Sequence, residues 1–324
     1  MSIDISVIIP TRNRLWSLPK AVESCRSKQL RIQIIVIDDA STDGTETWLK
    51  TQDDVVVVRG EGWGKPAGIA RAMPLATGTY IRYLDSDDWL NEGANELQFE
   101  IAEREHADVV VAGMDIYRDE TFVETHAWSP TDDFISRQLG EGPGSAYSSF
   151  LYRRSFVHDI PHRTLFAATD FASRDDRCFL LELALRHPRI AVSAKPALCL
   201  REHAQPRLQF RSGIARIGTH IQVLYIYRQI LRLLTEANEL TPRRKQAAID
   251  VLWPLAHWLA YDYLDEACDV ADWVIRLDPT FKPREKGLLG WLYRSLGFRK
   301  TERLLQLRRT LLRCIRSLTG GSRD

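Results

Sequence analysis

Three carboxylates crowd the end of "YIRYLDSDDWL", residues 80–90: Asp85, Asp87 and Asp88. Ionised carboxylates this close repel one another, and acids at the end of an apolar strand cannot be hidden in a core. A solvated turn tolerates them; so does a bound cation. In an extended strand, residues i and i+2 point to the same face, so Asp85 and Asp87 form a D-x-D that can address one ion. Mg2+ and Mn2+ favour carboxylate and phosphate oxygens and need few protein ligands when a substrate supplies the rest. A Mn2+ or Mg2+ ion would resolve the repulsion, but a D-x-D alone is common and a solvated turn stays the alternative.

Such a pair needs a scaffold, and the first third of the chain supplies an alternating one. "ISVII" (5–9) reads as a strand ended by Pro10, and "RLWSLPKAVESCRSK" (14–28) has helical spacing. "IQIIVID" (32–38) is strand-like, and the Ser/Thr/Asp cluster opening "STDGTETWLK" (41–50) suits a helix cap. "VVVV" (55–58), a Gly-rich loop, a helix around 67–76, "TYIRYL" (79–84), a helix at about 91–105 and "ADVVVAG" (107–113) follow. Apolar strands separated by helices indicate a mostly parallel sheet flanked by helices, with ligands beyond the carboxyl ends of the strands. Those ends read "PTRNR", "DDAS" and "DSDD". Residues 114–215 are more mixed, with a strand and short helix in "FLYRRSFV", a helix in "DDRCFLLELALRH" (175–187) and a strand in "ALCLREH" (197–203). From about 216 the pattern is helical throughout.

The segments "SVIIPTRNR", "VIDDASTDGT", "ARAMPLATGTYI" and "YLDSDDW", in that order, closely resemble the family 2 glycosyltransferases, which have the GT-A fold. The resemblance is strong over about the first 115 residues and looser to about 205. It implies an α/β GT-A domain at 1–215, divided into a nucleotide-sugar half (1–115) and an acceptor half (116–215), and a helical C-terminal region at 216–324. It implies that Pro10, Thr11 and Arg14 border the nucleotide and that Asp39 accepts the uracil imide N–H. Arg71 would lie over uracil or diphosphate, and Asp85 would hold ribose or metal, with Asp87 the main metal ligand. "SRDDRCF" (173–179) falls where the family has Glu-Asp and an aromatic, so Asp176 matches the general base, in a first helical turn that favours a carboxylate. "LREH" (200–203) matches the closing Arg-x-His, which brings His203 toward the metal or diphosphate. The sequence departs from the family at Ala72, where Asn is usual, and at Asp175 and Arg177.

The implied reaction is inverting transfer of a sugar from a UDP-sugar to a hydroxyl of a glycan, lipid-linked or protein acceptor. A sugar nucleotidyltransferase is the first alternative, but "PTRNRLW" lacks that class's Gly-rich phosphate loop. A non-catalytic nucleotide-sugar-binding scaffold is the second, and the carboxylates at 85, 87 and 176 argue against it. No G-x-G-x-x-G follows a strand, which argues against a dehydrogenase.

Composition narrows the setting. The 324 residues carry a net charge of +1, and the five cysteines are scattered singly, as expected of reduced thiols in a cytoplasmic protein. No signal peptide or membrane span is expected, and no nucleic-acid partner. Residues 281–324 hold twelve Lys or Arg against three Asp or Glu, a net of +9. In "ERLLQLRRTLLRCIRSL" (302–318), Leu304, Leu307, Leu311, Ile315 and Leu318 share a face, with Arg308, Arg309, Arg313 and Arg316 mainly off it. A basic amphipathic helix suits an anionic membrane surface, and Trp291 and Tyr293 suit an interface. Segment 285–318 is the expected contact, making the protein peripheral on the cytoplasmic face; a helix packed on the body is the alternative.

Overall fold

Strand β1 (Ile5–Thr11) runs between β2 (Ile32–Asp39) and β4 (Tyr80–Tyr83), parallel to both, and β3 (Val55–Gly60) continues the sheet beyond β2. The computed structural model of the chain describes residues 2–143, 146–162, 175–205 and 214–318, with 214–219 and 310–318 described by their backbone alone. Residues 1–138 and 143–210 form one unit, and residues 139–142 and 211–324 a second.

Three further strands, β6 (Val109–Val111), β9 (Leu151–Arg153) and β10 (Ile190–Val192), complete a seven-stranded sheet of order β10-β6-β9-β4-β1-β2-β3. It is mostly parallel, as expected, but β9 runs antiparallel to both its neighbours. Alternate residues feed two cores. Ile5, Val7, Ile9, Ile34 and Val36 face α1 (Leu18–Cys25) and α4 (Ala94–Arg104). Ile8, Ile35, Ile37, Ile81 and Tyr83 face α3 (Lys65–Ala72) and α7 (Asp175–Leu185). Ala72, where the family usually has Asn, is buried in this second core.

Sequence and structure differ at several points. Pro10 does not end β1: it pairs with Ile37 of β2 after β4 has stopped, so its missing N–H deprives no partner on that side. The helix expected from 14 begins at Leu18, after a turn in which the Ser17 and Leu18 amides donate to the Arg14 carbonyl. Helix α2 (Thr45–Leu49) has Gly44, at φ +92°, as its N-cap, with no side-chain cap bond. Asp43 instead accepts from the Thr45 amide (3.1 Å) and, across the loops, from the Leu15 amide (2.9 Å).

A second sheet, of order β5-β11-β7-β8, comprises β5 (Trp89–Leu90), β7 (Met114–Arg118), β8 (Thr121–His126) and β11 (Leu198–Glu202). Sequence patterning misses its hairpin, β7 with β8, because every residue of β8 is exposed and none of its alternation reports a core. Short helices α5 (Phe134–Leu139) and α6 (Arg154–Val157) lie in the connections.

The second unit is built on α8 (Ile214–Glu236), α9 (Pro242–Leu259), α10 (Leu264–Leu277) and α11 (Gly287–Leu318). Gly297, at φ +77°, breaks α11 into two helices. Between them lies a buried network. Glu302, with no exposure, accepts from Tyr293 Oη (2.5 Å) and lies 2.9 Å from His257 Nδ1, with Arg309 Nη2 at 3.3 Å. The other His257 nitrogen faces Glu285, which also accepts from the Trp253 indole. Burial acts to raise the Glu302 pKa, but the bonds from His257 and Tyr293 and the charge of Arg309 hold it below the usual range.

Candidate active site

The loops after β1, β2 and β4 gather at the carboxyl ends of those strands. The first two are stitched together by Asn13, whose amide donates to Ser41 Oγ (2.9 Å) and whose side-chain oxygen accepts from the Thr42 amide (2.7 Å). Asp38 turns the second loop by accepting from the Ser41 amide (3.2 Å). Thr11 is buried, and its hydroxyl has no hydrogen-bond partner among the described residues.

Asp39 shapes the loop that follows β3. Its carboxylate accepts from the backbone amides of Gly62 (2.9 Å), Trp63 (2.7 Å) and Gly64 (2.8 Å). The glycines are needed there. A Cβ on Gly60 would stand 2.4 Å from Asp39 Oδ1, and Gly64 sits at φ +80°. Arg71, exposed on α3, stacks its guanidinium 4.0 Å from the centroid of the Trp63 ring.

The three acids of the opening motif have three different partners. Beyond Tyr83 the chain leaves the strand and turns, with the Asp88 amide donating to the Asp85 carbonyl. Asp85 and Asp87 therefore do not share a strand face as the spacing predicts. Asp85 Oδ1 is held 2.6 Å from Lys65 Nζ. Asp87 Oδ2 lies 3.1 Å from His203 Nε2 and 3.8 Å from Arg14 Nε. Asp88 accepts the Arg201 amide (2.9 Å) and so fixes the end of β11 that carries His203. Two further ties set the turn. Ser17 Oγ donates to the Ser86 carbonyl (2.7 Å), and buried Arg82 bonds Asn95 of α4 (2.9 Å).

Lys65 is the residue sequence reasoning passes over. Its ammonium lies 4.6 Å from the centroid of the buried Tyr147 ring, and its side chain is 16% exposed. Burial opposes its charge, but Asp85 foremost, with Asp175 and Asp176, raises its pKa well above that of an ordinary lysine. A signal was present: "GWGKPAG" puts a cation in the first turn of a helix, against the dipole, which calls for a compensating acid.

Residues 163–174 lie outside the described residues, so the site is seen from Asp175 onward on this side. Asp175 is 3% exposed, and its Oδ2 has no hydrogen-bond partner among the described residues. Burial, helped by Asp176 and Asp85 and opposed by Lys65, pushes its pKa up to about 7. Asp176 is less buried, and its Oδ1 accepts from the Arg177 backbone amide (2.7 Å).

Among the described residues, no group of three or more His, Cys, Asp or Glu side chains is gathered as a metal centre. Asp87 and His203 nevertheless present an oxygen and a nitrogen 3.1 Å apart. That donor pair fits a divalent ion whose remaining ligands come from a diphosphate, and the imidazole favours Mn2+ over Mg2+.

Comparison with known proteins agrees with this geometry. Residues 6–161 match the family described as glycosyl transferase family 2. The chain is 33% identical over 164 residues to the Escherichia coli UDP-Glc:alpha-D-GlcNAc-diphosphoundecaprenol beta-1,3-glucosyltransferase WfaP, covering 48% of this chain and 63% of that protein. It is 30% identical over 112 residues to the Campylobacter jejuni GalNAc(5)-diNAcBac-PP-undecaprenol beta-1,3-glucosyltransferase, covering 32% of this chain and 36% of that one. Each match thus spans less than two thirds of the relative. The crystal structure of S. aureus TarS 1-349 in complex with UDP-GlcNAc superposes with a TM-score of 0.61 at 16% identity, over 95% of this chain and 92% of that chain, and shows the shared GT-A fold. Strand-end loops, an Asp-rich turn and these relatives lead to one assignment: residues 6–161 match the glycosyl transferase family 2 domain, on a chain that shares the GT-A fold.

Proposed function

We propose that this glycosyltransferase is inverting and moves a sugar from a UDP-linked donor to a hydroxyl of a lipid-linked glycan in cell-surface polysaccharide synthesis. The observation that carries the reading is the focus of Asp85, from the donor half, and of Asp175 and Asp176, from the acceptor half, on the single ammonium of Lys65. A site that joins both halves at the strand ends can hold donor and acceptor together. The UDP-GlcNAc in the TarS structure and the undecaprenol-diphosphate acceptors named for the E. coli and C. jejuni relatives support the substrate classes.

In this reading Pro10, Thr11 and Arg14 border the nucleotide. Asp39 keeps the 60–64 loop in shape and takes the uracil imide N–H on a lone pair left over from its three amide bonds, since a carboxylate accepts up to about four hydrogens. Arg71, on its Trp63 platform, lies over uracil or diphosphate. Asp87 and His203, with Asp85, would hold Mn2+ or Mg2+, which when bound supplies Lewis-acid neutralisation of the departing diphosphate. Asp176 takes the proton of the acceptor hydroxyl as that oxygen attacks the anomeric carbon from the face opposite the diphosphate. The C–O bond to the acceptor forms as the bond to the diphosphate breaks, so no covalent intermediate is needed.

The acceptor's lipid gives the basic tail a role on an anionic surface, through residues 285–318. No described helix is long and apolar enough to cross a membrane. Leu288 (73% exposed), Trp291 (55%) and Leu307 (63%) are instead displayed beside exposed Lys286, Arg294, Arg303 and Arg308. Tyr293 is not available for such contact: it is 4% exposed and bonded to Glu302. Arg309 is likewise drawn to Glu302 and over the Tyr261 ring. Leu311, Arg313, Ile315, Arg316 and Leu318 lie outside the described side chains.

UDP release should be followed with a panel of UDP-sugars and an undecaprenol-diphosphate-linked acceptor, with and without EDTA. Release that requires both acceptor and divalent ion is expected. Turnover unchanged in EDTA would remove the metal from this account, and pyrophosphate release from a sugar phosphate and UTP would replace transfer with nucleotidyl chemistry.

A further inference from the structure

Lys65 is on no sequence-derived set of site residues, yet it sits at the charge centre of the site. Its ammonium and Asp85 Oδ1 are 2.6 Å apart, half-enclosed, above the Tyr147 ring, with Asp175 and Asp176 close enough to be felt. The neighbouring acid, Asp87, is engaged separately by His203 and Arg14. The carboxylate crowding at the strand end is therefore relieved within the chain itself, and it is relieved at one of the two acids expected to take a metal.

We propose that Lys65 is a resident counter-cation that makes divalent-ion binding conditional on the nucleotide. This rests on the donor-site reading given above. In the nucleotide-free chain, a divalent ion reaching Asp85 must displace an ammonium already in contact, and it gains less there, because that ammonium already offsets the Asp85 charge. An arriving diphosphate changes both conditions. Its oxygens offer the ammonium another partner, which frees Asp85, and its charge restores the demand for a second cation. Ion and nucleotide then bind as a positively coupled pair, each raising the affinity of the other by the same factor. Lys65 acts here as a positioning residue: it sets the state of Asp85 and takes no part in bond making. The chain also avoids a standing metal site that would collect ions in the absence of substrate.

The test is Mn2+ binding itself, followed by the electron paramagnetic resonance of free Mn2+ with and without UDP, on the whole chain. Wild type should take up Mn2+ weakly alone and well with UDP. Lys65→Met should bind Mn2+ without nucleotide at least ~10-fold more tightly, and the enhancement that UDP confers should shrink by at least ~10-fold, within the usual span of coupling between sites. The double variant Lys65→Met/Asp85→Asn should return to weak uptake, because the liberated ligand is gone; melting curves establish that both variants are folded. Unchanged nucleotide-free Mn2+ affinity in Lys65→Met overturns the proposal, as does tight uptake that survives in the double variant. Loss of UDP affinity in Lys65→Met without any change in Mn2+ affinity would make Lys65 an ordinary phosphate ligand and overturn it too. Failure of UDP to bind wild type under any condition would instead sink the donor-site reading, while the nucleotide-free comparison still decides the role of Lys65.

Discussion

The chain buries two clusters of charge, and they are built to opposite rules. In the helical unit, Glu302, Glu285, His257, Tyr293, Trp253 and Arg309 close on one another, and both oxygens of Glu302 are used. At the sheet's carboxyl end, Asp85 is paired with Lys65 and Asp87 with His203 and Arg14, Asp175 and Asp176 act on the same ammonium, and Asp175 Oδ2 has no hydrogen-bond partner among the described residues. Both clusters leave buried polar atoms without a partner among the described residues, Glu285 Oε2 and Arg309 Nη1 in the first and Asp175 Oδ2 in the second, so what separates them is composition: the first interleaves its acids with His257, Tyr293, Trp253 and Arg309, whereas the second gathers acids from separate segments about one ammonium. The contrast teaches where to look for function: at acids drawn together from separate segments around one cation.

The largest effect that would sharpen this contrast is expected at Asp87. Asp87→Asn should lower turnover by about 1000-fold or more, the scale of losing a Lewis-acid clamp worth several kcal/mol, and leave the melting temperature nearly unchanged. A large loss of stability would put Asp87 with the closed cluster instead. Next comes Glu302→Ala, which removes the hub of the closed cluster and should destabilise the protein by about 3–5 kcal/mol, as breaking a buried charge pair does. UDP affinity measured on the folded variant should be unaffected. If denaturant melts show less than about 1 kcal/mol, the network is not the structural element its burial implies.

Asp176→Asn should slow transfer by at least ~100-fold with UDP affinity nearly intact, the signature of a lost general base; Asp175→Asn should lose far less. A reversal, with Asp175→Asn the dead variant, would move the base by one residue. The smallest effect separates the same pair by stability. The folded protein raises the Asp175 pKa to about 7, well above that of an ordinary aspartate, so the folded state binds the proton more tightly than the unfolded chain. The resulting stabilisation is present below about pH 4 and is lost as pH rises toward 7. Replacing the acid with Asn should flatten that slope, raising relative stability at pH 8 over pH 5 by on the order of 1–3 kcal/mol. Parallel pH profiles of wild type and Asp175→Asn would show that the carboxyl is not the group responsible.

The same contrast explains what the sequence disclosed. Strands β1, β2, β4 and β6 are legible because both faces are largely buried, which leaves short runs rich in β-branched or aromatic residues. Helix α7 is legible from its spacing, and its first turn puts Asp175 and Asp176 side by side. The β7–β8 hairpin is illegible because its outer strand is exposed on both faces. Among site residues, the acids announce themselves through crowding, whereas their partners come from far along the chain or from a loop lysine that looks solvated. Nothing local in "LREH" or "GWGKPAG" tells which acid each will meet; Asp87 meets His203 and Asp85 meets Lys65 only after the sheet has closed. Tyr293 misleads for a related reason: its aromatic neighbourhood reads as interfacial, while its hydroxyl is committed to Glu302.

Asp88 carries a consequence for how the protein is made. Its bond to the Arg201 amide joins positions 113 apart in sequence, and the last pairing of the site therefore waits for a segment translated long after the Asp-rich turn. At a synthesis rate of about 5–20 residues per second, that delay is on the order of 10 s. Throughout it the parallel strands β1 to β4 and their helices can form with the turn still unclosed, so a nascent or truncated donor half would have the β4-β1-β2-β3 part of its sheet but not the Asp88–Arg201 closure. Catalytic competence arrives with β11, as a checkpoint on completion of the domain.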